Sequence, residues 1–163
     1  MKVVFCHGLE GSPQGRKAQA LRAAGLDLVA PDFTGMNLAA RVAGLMPELA
    51  AHDGCVLVGS SYGGLTALCG AILHHRAGGR VRGLVLAAPA LILSEPPADA
   101  LELAPPCPTH VIHGRHDELI PVAAIEAWAA AYPAVRLEVV DDAHVLARSL
   151  DRIVAAAAEF ARD

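Results

Sequence analysis

The residues best equipped for chemistry lie in Gly59-Ser60-Ser61-Tyr62-Gly63-Gly64. A Gly-x-Ser-x-Gly pattern between a strand and a helix lifts a serine hydroxyl onto a sharp turn, where it can attack an acyl carbon. Two serines adjoin, and the frame selects Ser61. It alone has glycines two residues before and two after, whereas Ser60 has Val58 and Tyr62 there. A strained bend of this kind tolerates no bulk on either side, so Gly59 and Gly63 leave room for close strand–helix packing.

A serine hydroxyl is a weak nucleophile at neutral pH and needs a base, which in turn needs an orienting acid. In open parallel sheets, functional groups gather beyond the carboxyl ends of the strands. Two later segments qualify, His113-Gly114-Arg115-His116-Asp117-Glu118 and Asp141-Asp142-Ala143-His144, each following an apolar run. The chain order Ser61, Asp117, His144 is the one that accompanies this type of turn. His144 is then the candidate general base and acid, and Asp117 the group that fixes its tautomer, with Glu118 as the alternative acid.

Acyl transfer also develops an oxyanion, which requires backbone N–H donors placed in advance. The amide of Tyr62 is one candidate. The amide of Leu9, in the loop His7-Gly8-Leu9-Glu10-Gly11, is the other. That loop lacks the Gly-x-Gly-x-x-Gly pattern of dinucleotide sites. His113, His116 and Asp117 crowd into one short turn, where three metal ligands rarely converge, so no metal and no cofactor are expected. Asp32 is expected to cap a turn, His74 and His75 to lie on a helix surface, and Trp128 to pack. Arg16 and Lys17 are expected at solvated helix positions.

The elements that must position these groups follow from apolar runs alternating with helical patterns, which indicate parallel strands and crossover helices. Strands are expected over 2–6, 27–30, 55–58, 81–87, 109–113 and 135–140. Their runs are continuously apolar, as in a sheet covered on both faces. Helices are expected over 14–24, 37–51, from the serine turn to about 77, over 122–131, and from about His144 to the end. Leu146, Leu150, Ile153, Val154 and Ala157 give the last of these its spacing. Pro47 should kink or restart the second helix. Residues 89–108 hold six of the eleven prolines, with one helical turn expected over 99–103. Long connections of this kind often border active sites. The reading is an α/β, doubly wound, mainly parallel six-stranded sheet with helices on both faces; the pattern alone leaves the strand order open.

At 163 residues, with 54% hydrophobic and 18% charged residues, the chain has the make-up of one globular domain, 1–163, rather than a disordered one. The net charge of -4 and the lack of a basic stripe argue against nucleic acid as a partner. No apolar run reaches membrane-spanning length, and the apolar start is too short for a signal peptide. The four cysteines show no Cys-x-x-Cys spacing, which suits reduced packing residues and a cytoplasmic location.

Taken together, His7-Gly8, Pro31-Asp32, Gly59-x-Ser61-x-Gly63-Gly64, His113-Gly114-x-x-Asp117-x-x-Ile120-Pro121 and Asp142-Ala143-His144 resemble the α/β-hydrolase superfamily, in particular its small, nearly lidless bacterial members. The resemblance spans nearly the whole chain. It implies the strand order 2-1-3-4-5-6, the triad Ser61, Asp117 and His144, and an oxyanion loop after the first strand. Three departures stand out. The usual leading antiparallel hairpin is missing, the cap is reduced to residues 89–108, and Ala143 replaces the glycine that often precedes the base. The expected activity is hydrolysis of a small-molecule carboxylic ester or thioester through an acyl-enzyme, in an open, shallow site suited to short acyl groups. The competing readings are a catalytically silent binding or regulatory protein on the same scaffold, and a hydrolase of amide or carbon–carbon bonds.

Overall fold

Alternate residues of each central strand face opposite sides, and here both sides are apolar. In the computed structural model, which describes residues 1–162, Val3 and Phe5 of β1 (Lys2–Cys6) join one hydrophobic cluster and Val4 and Cys6 the other. The same alternation runs through β3 (Val56–Ser60) and β4 (Gly83–Ala87), whose residues are all buried. With β2 (Asp27–Val29), β5 (Thr109–Gly114) and β6 (Val135–Val140), they form a wholly parallel sheet in the order β2-β1-β3-β4-β5-β6. The order turns back between β1 and β3, so their carboxyl ends open a crevice where ligands of such sheets bind.

Each face is covered by helices. Ala18 and Leu21 of α1 (Arg16–Ala23) and Ile153, Ala156 and Ala157 of α5 (Leu150–Ala161) pack on one side. On the other lie α2 (Leu38–Ala51), α3 (Tyr62–Arg76) and α4 (Val122–Ala130). α3 is buried almost all round, as its continuously small and apolar sequence requires.

Four expectations need correction. α2 runs through Pro47 as one helix of 14 residues, so no restart occurs there. Ala43 and Pro47 both lie on its exposed side, so the carbonyl that the proline leaves unbonded is solvated. The last helix starts at Leu150 and not at His144, and residues 143–149 form a loop in which Leu146 has a positive φ of 56°. His74 is buried and bonds Asp53 at 2.8 Å, while only His75 is exposed. In the Pro-rich connection, the helical turn is a 3-10 segment at Ala98–Ala100.

The sheet ends in guarded edges. β2 is three residues long. β6 carries Arg136 and Glu138, which face Glu159 and Arg152 of α5 at 3.8 and 3.2 Å. Among the described residues, no helix is long and apolar enough to cross a membrane.

Candidate active site

The turn from β3 into α3 puts Ser61 at φ 53°, ψ -116°, a conformation that costs a non-glycine residue about 1–3 kcal/mol. Backbone bonds on both sides hold it there. The Ser61 N–H donates to Ala87 O at 2.9 Å, and Ser61 O accepts from Gly64 N at 2.8 Å and Ala90 N at 3.0 Å. The flanking glycines are required by contact. A Cβ on Gly59 would strike Gly63 O and Gly64 Cα, and one on Gly63 would strike the carbonyls of Cys6 and His7. The helix therefore sits directly against the end of β1, which brings the loop after β1 up to the serine.

The other two candidate catalytic groups arrive from the ends of β5 and β6. Ser61 Oγ is 2.8 Å from His144 Nε2, and His144 Nδ1 is 2.7 Å from Asp117 Oδ2. The Asp117 side chain is fully buried, and that of His144 is 18% exposed. Asp117 Oδ1 accepts from the N–H groups of Leu119 and Ile120 at 2.9 and 2.8 Å. With that oxygen so engaged, Oδ2 is directed at the imidazole, where a carboxylate requires the proton on Nδ1 and leaves Nε2 free to accept from the serine. His113, wholly buried beneath, bonds Ile120 O at 2.9 Å and lies 3.4 Å from Asp117 Oδ2. His116 turns outward to Asp141 at 2.7 Å, so His113, His116 and Asp117 are directed to three different partners. Glu118 is exposed.

Tyr62 is the first residue of α3, and its N–H has no carbonyl four residues back within the helix. Leu9 lines the same cavity as Ser61 and His144. Its N–H makes no backbone bond among the described residues. The cavity has a volume of about 600 Å³, and Phe5, Leu9, Leu119, Val145 and Leu150 supply its apolar walls. Asp32 accepts from Thr34 N and Oγ1, the turn cap expected of it. Trp128 packs with its Nε1–H donating to Leu103 O at 2.9 Å.

Three residues that support the site were not singled out for that role from sequence. Arg41 lies buried behind the loop after β1. Lys17, expected to be solvated, reaches across the cavity and donates from Nζ to Val145 O at 2.6 Å, next to His144. Burial lowers its pKa, while Asp142 acts in the opposite sense.

The third is Asp142, which shapes the loop that carries His144. It accepts from Ala143 N at 2.8 Å, Arg148 N at 2.8 Å and Ser149 Oγ at 2.9 Å. Burial acts to raise its pKa, but these bonds prevail and hold its carboxyl below the usual range. Because the folded value is depressed, the carboxylate's contribution to stability is complete at neutral pH. It is lost as pH falls below about 4 and through the folded pKa. Asp142→Asn should destabilise the fold by about 1–3 kcal/mol at pH 7, since its amide NH2 meets donors on at least one side. The deficit should shrink in acid. Urea unfolding at pH 7 and near pH 3 checks this, and a deficit independent of pH would contradict it.

No protein-family model matches the chain, and no curated protein matches it in sequence. Solved structures do. One, described as an α/β-superfamily hydrolase from Xanthomonas campestris pv. campestris, is 29% identical, with a TM-score of 0.81 over 98% of this chain and 97% of that one. Est1E from Butyrivibrio proteoclasticus superposes with a TM-score of 0.81 at 18% identity over 98% of this chain and 86% of its own. A structure from a report on two metagenome-derived lipolytic enzymes, LipS and LipT, gives 0.72 at 19% identity over 97% and 93%.

Proposed function

Starting from the chain's place in the α/β-hydrolase superfamily, which its fold and structural neighbours support, we propose that it is a serine hydrolase that cleaves a small-molecule carboxylic ester or thioester through an acyl-enzyme. The observation that carries this reading is the continuous relay of Ser61 Oγ, His144 and Asp117, with links of 2.8 and 2.7 Å. His144 Nε2 takes the serine proton as Oγ bonds the carbonyl carbon. The imidazolium, steadied by Asp117, then returns that proton to the leaving alkoxide or thiolate as the carbon–heteroatom bond breaks. Water repeats the sequence on the acyl-enzyme, with His144 as base, and frees the acid. The amides of Leu9 and Tyr62 receive the oxyanion.

The chain is one catalytic domain in this reading, with residues 89–108 as its reduced cap. The apolar walls and the volume of about 600 Å³ suit an uncharged acyl group and are roomier than a shallow notch. Medium-length acyl esters should therefore be turned over along with short ones. A panel of p-nitrophenyl esters, thioesters and anilides tests the bond class, and a fluorophosphonate probe with peptide mapping tests the nucleophile. Ester or thioester turnover with labelling confined to Ser61 is the expected result. An inert panel with Ser61 unlabelled would remove the proposal.

A further inference from the structure

Arg41 is the largest fully buried side chain among the described residues, and none of their carboxylates lies within 4.0 Å of its guanidinium nitrogens. Burying a charge unpaired is expensive. The guanidinium is spent instead on backbone carbonyls. Nη1 donates to His7 O at 2.7 Å, Nε to Met36 O at 3.1 Å and Nη2, more distantly, to Gly8 O at 3.4 Å. Its Cζ lies 4.7 Å from the centroid of the Tyr62 ring. Burial lowers the Arg41 pKa, while Tyr62, Cys6 and Glu95 act to raise it; a guanidinium stays charged in such a setting.

These contacts join the two segments that supply the oxyanion donors. His7 Nε2 accepts from Phe33 N at 2.9 Å, so its proton is on Nδ1, which donates to Gly8 O at 2.8 Å. Gly8 O also accepts from Gly11 N at 3.2 Å. In a planar trans peptide the C=O and N–H point in opposite directions. With Gly8 O turned toward Arg41, the Leu9 N–H is turned away from it. Donors on a carbonyl polarise its peptide and strengthen the N–H at the far end. On the other side, the same cation stacks on the side chain of Tyr62, the residue whose amide opens α3.

We propose that Arg41 is a positioning residue of the acyl-transfer site, whose buried charge fixes and polarises the peptide behind the Leu9 donor, packs on the side chain beside the Tyr62 donor, and favours the negative charge that develops on the substrate oxygen. This rests on Ser61 being the acyl nucleophile. A positive charge in a water-poor interior acts far more strongly than one in solvent, and here it does so without touching substrate.

The test compares wild type, Arg41→Met and Arg41→Lys, with kcat on p-nitrophenyl acetate counted per site titrated by a fluorophosphonate. It also compares inhibition by an alkyl trifluoromethyl ketone with that by the methyl ketone of equal length. On the fluorinated ketone, Ser61 Oγ bonds the carbonyl carbon, the carbonyl π pair moves onto oxygen, and the hydroxyl proton passes to His144 Nε2. The methyl ketone binds as a neutral carbonyl. Arg41→Met should lower kcat by about 10- to 100-fold with KM within about threefold, and the trifluoromethyl-to-methyl affinity ratio should fall by a similar factor. Arg41→Lys keeps the charge but lacks the planar fork that reaches three carbonyls at once, so its ratio should lie about three- to tenfold below wild type.

Wild-type kcat per titrated site in Arg41→Met, or equal loss of both affinities, would overturn the proposal. If Arg41→Met yields no titratable sites, Arg41→Lys decides, and an unchanged ratio there overturns it. An inactive, unlabelled wild type would instead remove the nucleophile assignment itself.

Discussion

Ser61→Ala should lower kcat by about four orders of magnitude or more while leaving the fold and KM nearly unchanged, because deleting the nucleophile of such a relay leaves only binding and oxyanion stabilisation. Alanine fits the site sterically, since Ser61 lends the turn its backbone and not its hydroxyl. The bonds to Ala87, Gly64 and Ala90 all involve main-chain atoms, whereas Oγ is directed at His144. Residual turnover within tenfold of wild type, measured with p-nitrophenyl acetate after removal of contaminating esterases, would sink the assignment. Equal melting temperatures would show that the loss is chemical and not a failure to fold.

Asp117→Asn should be nearly as severe, with a loss of about four orders of magnitude in kcat. The Asp117 carboxyl group has donors on both sides, Leu119 N and Ile120 N at Oδ1 and the His144 ring at Oδ2. An asparagine cannot satisfy that set. With its NH2 toward His144, it forces the proton onto Nε2, which can no longer accept from Ser61. With its oxygen toward His144, the NH2 confronts two backbone N–H groups. The His144 tautomer, read from the ¹⁵N shifts of its ring, should move to Nε2–H in the first case. A variant with intact kcat, or one that stays in the Nδ1–H form while losing stability alone, would contradict the role given to Asp117.

Much of this was legible in the residues. Runs such as Val56–Val58 and Leu84–Ala87 are apolar at every position because both faces of their strands are buried, so the strands were found to within two residues. Ser61, Asp117 and His144 were visible because they stand just past such runs. The start of the last helix was not, because Leu146 falls in step with Leu150 and Ile153. It is buried in the same cluster, but reaches it from a loop through a positive φ, held by the bonds to Asp142. A helical period therefore marked a shared core and not a shared helix. The signal for Arg41 was available as well. It stands three residues after Leu38 and four before Leu45 on the buried stripe of α2, where a charged residue needs an explanation. His74 was placed on the surface by its polarity, but α3 has little exposed surface on which a polar residue could rest.

The guarded margins of the sheet bear on how the molecule behaves in a crowd. A free strand invites another chain when it is long, flat and uncharged. One border here offers three residues, and the other presents alternating charges tethered to the neighbouring helix. Concentrated solutions therefore lack a ready template for fibre growth by strand addition, even though the interior is built from segments that, unfolded, would be prone to it.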